Sequence, residues 1–266
     1  MALTIIQTNA NHSGGAQDLL LQNMREWRTS LAIVAEPYMI PESPRWWGST
    51  GKFPKVAIIW GGGDVGDNFP CTLLTRMVNW VAIEWGEIII VGCYCSPRMS
   101  DIQFGAFLNL VSTMIDPNLS RQILLLGDFN ARSLQWDKKQ NKKGEILANW
   151  AVGRGLTLVN RDSTPTCVRS QGSSTVDLAW ATPAMYSRIR KWYVDGNNPS
   201  ASDHLYIRMT LRSTLAPIRE RAIKSRNKFP RWNGKKINPD QLLAAIMAKT
   251  WCDRRHLEES VQIQVS

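Results

Sequence analysis

Ile123-Leu124-Leu125-Leu126 is apolar at every position, without the alternation a strand shows when one face meets water. A strand here must be buried on both faces, by helices or by a second sheet, and that restricts the chain to a layered α/β architecture. Apolar, β-branched segments recur at Thr4–Gln7, Ala32–Ala35, Lys55–Trp60, Val78–Trp85, Ile88–Tyr94, Gln122–Leu126, Leu156–Val159, Val176–Ala181 and Leu205–Leu211, and each predicts a strand. Helical spacing separates some of them, at Ala16–Arg28, at Phe104–Ile115 and at Lys143–Arg154, the last ended by Gly153 and Gly155. Val78–Trp85 runs through a Gly86-Glu87 turn straight into Ile88–Tyr94, so the sheets must be partly antiparallel. Two packed mixed sheets with outer helices satisfy both constraints.

The 266 residues fit one domain of about 200 residues with a tail better than two full domains. Strand character stops near Leu211, and the charge changes there. Residues 1–212 carry 21 basic and 17 acidic side chains, residues 213–266 carry 11 and 5. Arg219 to Lys236 alone holds eight basic residues against Glu220, interleaved with Phe229 and Trp232, which suits a phosphate backbone and stacked bases or else a solvated linker. A short helix is expected at Gln241–Trp251.

No apolar run is long enough to span a bilayer, and the opening residues lack the basic start of a signal peptide, so the expectation is a soluble, intracellular chain that uses no membrane. The five cysteines, Cys71, Cys93, Cys95, Cys167 and Cys252, are odd in number and have neither Cys-x-x-Cys spacing nor a neighbouring histidine. They read as inert thiols, forming neither a disulfide framework nor a zinc site.

Polar residues gather at strand ends, where sites are usually built: Asn9, Glu36, Tyr94, Asp128 and Asn130. In extended backbone, Asp128 and Asn130 of Gly127-Asp128-Phe129-Asn130 would face one space and Phe129 the other; a local Asx turn is the plainer alternative. Glu36 at the edge of an apolar run is either an exposed loop residue or a ligand for a hard divalent ion. Asp177 interrupts the apolar run Val176–Trp180, where a carboxylate is unfavourable unless paired; His204, beside Asp203, is the preferred partner.

In chain order, Gln7-Thr8-Asn9, Glu36-Pro37, Tyr94-x-x-Pro97, Gly127-Asp128-Phe129-Asn130-Ala131, Ser174-Thr175-Val176-Asp177 and Ser202-Asp203-His204 resemble the signature blocks of the exonuclease/endonuclease/phosphatase family. The resemblance runs from Thr4 to Leu211 and implies a four-layer α/β/β/α sandwich with two central mixed sheets, acting on phosphate esters with magnesium. With Trp136 following, the Asp-Phe-Asn block looks most like the apurinic-type endonuclease domain of non-LTR retrotransposons, and the opening blocks resemble the insect clade that targets specific chromosomal repeats. Such a resemblance implies nicking of double-stranded DNA in the nucleus, a 3′-hydroxyl that primes reverse transcription, and a basic linker, residues 213–266, leading toward a reverse transcriptase domain. Ser133, where relatives often carry histidine, and the Cys95-Ser96 stretch depart from the pattern.

Carried over position by position, the resemblance implies that Glu36, with Asn9 and Asp203, holds Mg²⁺ or Mn²⁺. Asp128 then activates water, His204 oriented by Asp177 donates to the phosphate, and Asn130 and Tyr94 supply neutral hydrogen bonds. Basic groups at Lys138, Lys139, Lys142 and Lys143, and at Arg188, Arg190 and Lys191 around a presumed turn, are candidate DNA contacts or solvated surface. An abasic-site repair enzyme, a lipid phosphodiesterase of the same fold and a DNA-binding module without catalysis remain alternatives at this point.

Overall fold

The computed structural model describes residues 2–62 and 69–212, together with Asp240 and Leu243. Its strands are β1 (Ala2–Asn9), β2 (Leu31–Ala35), β3 (Trp46–Gly48), β4 (Val56–Trp60), β5 (Cys71–Arg76), β6 (Trp80–Trp85), β7 (Ile88–Tyr94), β8 (Gln122–Asp128), β9 (Thr157–Leu158), β10 (Cys167–Arg169), β11 (Gly172–Ser174), β12 (Asp177–Ala181), β13 (Ile189–Asp195) and β14 (Tyr206–Arg212). The helices are α1 (Gly14–Glu26), α2 (Asp101–Ile115), α3 (Lys142–Val152) and the single turn α4 (Pro183–Tyr186). One sheet has the order β13-β14-β1-β2-β4-β3 and the other β5-β6-β7-β8-β12-β9, with β10-β11 a separate ribbon. Each large sheet is mixed, because β1 runs parallel to β2 and β7 parallel to β8 while their other neighbours are antiparallel.

Two-sided burial explains the unbroken apolar runs. Ile88, Ile90, Leu124 and Leu126 point between the sheets, where they meet Leu3, Ile5, Ile33 and Ile58 of the facing sheet. The alternate residues Ile89, Val91, Ile123 and Leu125 lie beneath Phe104, Phe107 and Val111 of α2 and Leu147 and Ala151 of α3. On the opposite outer face, Ile6, Ala32 and Val34 lie under Ala16, Leu20 and Met24 of α1. The result is the expected four layers, each fully buried aliphatic side chain contributing about 1.5–3 kcal/mol relative to exposure. Side-chain caps fix where the helices begin: Ser13 accepts from the Ala16 N–H, Asn141 from the Gly144 N–H, and Ser100 and Gln103 form a reciprocal capping box.

Apolar character on both faces leaves register poorly specified by pattern alone, since a one-residue slip exchanges one buried face for the other. The register of β8 is set at its polar end. A Cβ on Gly127 would come 1.9 Å from the Cys93 carbonyl oxygen, so only glycine admits this approach of β7 and β8. The buried Gln7 amide crosses between the sheets and donates to the carbonyls of Gly127 (3.1 Å) and Leu178 (3.4 Å).

Several expectations need correction. Arg188 to Lys191 is not a turn: Ile189–Asp195 is edge strand β13, paired with β14. Val78 and Asn79 lie in the β5–β6 connection, and strand pairing starts at Trp80. The basic tail and the Gln241–Trp251 helix lie outside the described residues, the two isolated positions aside. Among the described residues no helix is long and apolar enough to cross a membrane, and Cys93, Cys95 and Cys167 are not joined in disulfides.

Candidate active site

Strand direction brings the polar ends together. Asn9 closes β1, Glu36 follows β2, Tyr94 closes β7 opposite Asp128 at the end of β8, and Asp177 opens β12 directly across from Asp128. His204 lies just before β14, whose Ile207 pairs with Gln7.

Glu36 is held in a left-handed backbone conformation (φ 44°), unusual for a residue with a Cβ. The Asn9 Nδ2 donates to its Oε2 (3.1 Å) and the Tyr94 hydroxyl to its Oε1 (2.6 Å). The His12 Nε2 stands 3.5 Å from the same oxygen. Burial, and then the hydrogen bond and charge of Glu36, raise the Tyr94 phenol well above its usual range, so it stays a neutral donor. The same Asn9 amide reaches Asp128 Oδ2 at 3.0 Å and so links the two carboxylates across the gap between the sheets.

Asp128 is buried, and burial followed by the charge of Asp177 pushes its carboxyl up to about 7. The charge of His204 and hydrogen bonds from Asn9 and the Asn130 N–H act in the opposite sense. Its neighbourhood departs from the extended-strand expectation. The strand ends at Asp128, Asn130 has φ 45°, and the Asn130 N–H donates to Asp128 Oδ1 (3.0 Å), which is the Asx turn. The Asn130 side chain donates to the Cys95 carbonyl (3.0 Å) beside Tyr94, while Phe129 packs under α2 and α3 as expected.

Asp177 and His204 form the expected pair, Nδ1 to Oδ2 at 2.8 Å, both buried. Burial alone would lower the imidazole, but the charge and hydrogen bond of Asp177 prevail and push it up to about 12, making it a cation at neutral pH. The Thr166 hydroxyl donates to the same Asp177 oxygen (2.7 Å) and accepts from the Asp177 N–H (3.1 Å), adding a second hold on the carboxylate. Ligand atoms of Asp128, Asp177 and His204 all lie within 4.8 Å of one another, a grouping that could hold a cation. Asp203 differs from its expected role. It is ion-paired to Arg169 and touched by Asn11 Nδ2 (3.5 Å), and no contact joins it to Glu36 or Asn9 among the described residues. Burial would raise its carboxyl, but the Arg169 hydrogen bond outweighs this and lowers it.

Thr166, Asp137 and Arg132 support the site without any local signal in the sequence, and Gln7 belongs to the first signature block. Asp137 accepts from Arg132 Nε (2.8 Å) and from the Thr175 N–H (3.0 Å), clamping the loop after β8 to the residues before Asp177. Asp and Thr are common surface types, so nothing local marked them.

The basic candidates separate. Lys138 and Lys139 are exposed on that clamped loop, at the site end of the sheets, and Lys142 pairs with Glu145. Lys143 is buried and donates to the Pro97 carbonyl. Arg188 is also buried, its guanidinium spent on the Arg212 carbonyl and on Gln122. Arg190 and Lys191 are exposed, but Lys191 pairs through Thr210 to Thr4, roughly 17 Å down β1 from Asn9. They therefore lie away from this site.

A family model described as "Endonuclease-reverse transcriptase" matches residues 88–208. The endonuclease domain of TRAS1, a telomere-specific non-LTR retrotransposon, is similar in structure with a TM-score of 0.71 and 22% identity, covering 80% of this chain and 99% of that one. An AP endonuclease from Archaeoglobus fulgidus (TM-score 0.61, 13% identity, 79% of this chain and 100% of that one) has the same fold. So does a 3′ phosphatase, NExo, from Neisseria bound to a product DNA hairpin (0.61, 14%, 79% and 100%). No curated protein matches in sequence. The fold, two central mixed sheets flanked by helices, is like that of these endonuclease and phosphatase structures, and the family match covers residues 88–208, under half of the chain.

Proposed function

We propose that this chain is the endonuclease domain of a non-LTR retrotransposon, nicking double-stranded chromosomal DNA to leave a 3′-hydroxyl from which a linked reverse transcriptase primes synthesis. The single observation that carries the reading is the convergence of Asn9, Glu36, Tyr94, Asp128, Asp177 and His204 at one end of two facing sheets, joined by hydrogen bonds. Action in the nucleus, a preference for one chromosomal repeat such as ribosomal DNA or telomeric repeats, membership of the insect clade, and residues 213–266 as the linker to the polymerase belong to the same proposal.

The donor set fits a hard divalent ion. Among the described residues Glu36 meets Asn9, Tyr94 and His12, with no lysine or arginine pairing its charge. Glu36 and Asn9 would hold Mg²⁺, or Mn²⁺ in its place, and Asp203 could join them only on leaving Arg169. The bound ion supplies Lewis-acid stabilisation of charge on the phosphate. Asp128, ionised above about pH 7, accepts a proton from the attacking water. His204, kept cationic by Asp177, donates toward the phosphate oxygens as charge builds there. Tyr94 and Asn130 fix the surroundings as neutral donors, and displacement leaves 3′-hydroxyl and 5′-phosphate ends.

Incubation with supercoiled plasmid and Mg²⁺ tests this, with EDTA, Asp128→Ala and His204→Ala as controls and an abasic duplex as competing substrate. Metal-dependent nicked circles lost in both variants are expected. Cleavage confined to the abasic duplex would favour a repair enzyme, and a folded parent that binds DNA without cutting it would favour a binding module.

A further inference from the structure

Cys167 has no histidine near it in sequence, yet the fold sets it against one. Backbone pairing joins Cys167 to His204 in an antiparallel bridge, flanked by the Val168 N–H to the Asp203 carbonyl and the Leu205 N–H to the Thr166 carbonyl, both 2.8 Å. The Cys167 thiol lies 3.9 Å from Asp203 Oδ2. Ligand atoms of Cys167, Asp203 and His204 all lie within 4.8 Å of one another.

From this geometry we propose that Cys167, His204 and Asp203 form a site for a thiophilic divalent ion, Zn²⁺ being the chemical type, and that occupancy shuts off the nuclease by consuming His204. The site takes its thiolate from outside the nuclease centre and shares His204 with it, and the switching consequence rests on the nuclease reading. In a tetrahedral zinc site bonds of about 2.3 Å to sulfur and 2.0–2.1 Å to nitrogen or oxygen set neighbouring ligand atoms roughly 3.6 Å apart, so small movements suffice. Asp177 takes Nδ1 of His204, which leaves Nε2 as the ring's ligand atom once the proton it carries as a cation is displaced. A thiolate discriminates against Mg²⁺, a hard ion that prefers oxygen, so the cysteine selects the softer metal even where Asp203 is available to either. Arg169, ion-paired to Asp203 with an exposed side chain, would release that carboxylate to the ion. On binding, the thiol and imidazolium protons pass to solvent, leaving the thiolate and Nε2 as donors.

The test uses the whole 266-residue chain and two readouts, with Cys167→Ser and Cys167→Ala beside the parent. In the first, Co²⁺ as a zinc substitute should give a thiolate-to-cobalt charge-transfer band in the parent that both variants lack. This reads the site whether or not the protein nicks DNA, so its failure is separable from failure of the nuclease reading. In the second, Zn²⁺ is titrated into plasmid nicking at saturating Mg²⁺. Inhibition is read relative to each protein's own zinc-free rate, and the variants should require at least about tenfold more Zn²⁺ for half-inhibition. Identical cobalt spectra in parent and folded variants, or equal Zn²⁺ sensitivity, would overturn the proposal.

Discussion

Asp128 and Asp177 are a register pair on antiparallel β8 and β12, two buried carboxylates facing each other across one rung of the sheet. Like charges so placed repel one another. Asp177 is compensated by His204 and Thr166, whereas Asp128 has only neutral hydrogen-bond donors, Asn9 and the Asn130 N–H, and is driven up to about 7. Replacing Asp177 with asparagine removes the charge that holds His204 up and the charge that pushes Asp128 up. Both groups should then titrate lower, moving the nicking optimum toward acid while the maximum rate falls about 100- to 1000-fold. A pH–rate profile of Asp177→Asn checks this; an unshifted profile would mean that His204 does not act as a cation.

Asp128 also couples catalysis to stability. Its folded value, about 7, lies above the ordinary 3.8. Between these values the native state holds a proton that the unfolded chain lacks, so stability falls as pH rises through the window and the loss is complete above about 7. Asparagine keeps the shape and cannot ionise. Asp128→Asn is therefore expected to melt at a higher temperature than the parent at about pH 8, with the gap closing toward about pH 4, and to have no nicking activity. Melting curves across that range decide it, and an equal gap at every pH would contradict the assigned shift.

Legibility followed the reach of each interaction. Ile88–Tyr94 was readable to the residue, because a turn bounds one end and Tyr94-Cys95-Ser96-Pro97 the other. Strand β13 was not, because an edge strand with Arg190 and Lys191 facing water has the composition of a loop. Strands β10 and β11 are three residues each, and Gly172-Ser173-Ser174 is polar and partly exposed, so no pattern accumulates. The charged site residues stood out because Asp177 interrupts an apolar run and Glu36 ends one. The partners that fix them come from far along the chain: Asn9 reaches Asp128 and Gln7 reaches Leu178, contacts that no local spacing encodes. Cys167 shows the same thing: no histidine is near it in sequence, and His204 is set against it by a strand bridge.

Gln7 shows how such a contact matters. Its amide nitrogen serves two backbone carbonyls of the facing sheet, one of them on Gly127 immediately before Asp128. Leucine would fill the space and leave both carbonyls with one fewer donor in the interior. Gln7→Leu should lose about 1–3 kcal/mol in urea unfolding. It should also reduce nicking more than that loss of folded protein explains, because Asp128 loses its anchor. Normal specific activity per folded molecule would assign Gln7 to stability alone.

Glu36 provides the sharpest test of where the catalytic ion is held. A side chain in left-handed backbone, fixed by Asn9 and Tyr94, is strained in a way that persists only where the surroundings over-determine it, and such strain clusters at functional positions. Glutamine preserves the shape and removes the charge. If Glu36 and Asn9 hold the ion, Glu36→Gln should fold normally and require far more Mg²⁺ to nick at half its own maximal rate, with a maximum at least about 100-fold below the parent. The grouping of Asp128, Asp177 and His204 offers a second place for a cation, and the two arrangements predict different titrations. An unchanged Mg²⁺ midpoint in Glu36→Gln, with the requirement rising instead in Asp128→Asn, would move the ion to that second group and leave Glu36 as an orienting partner for Tyr94.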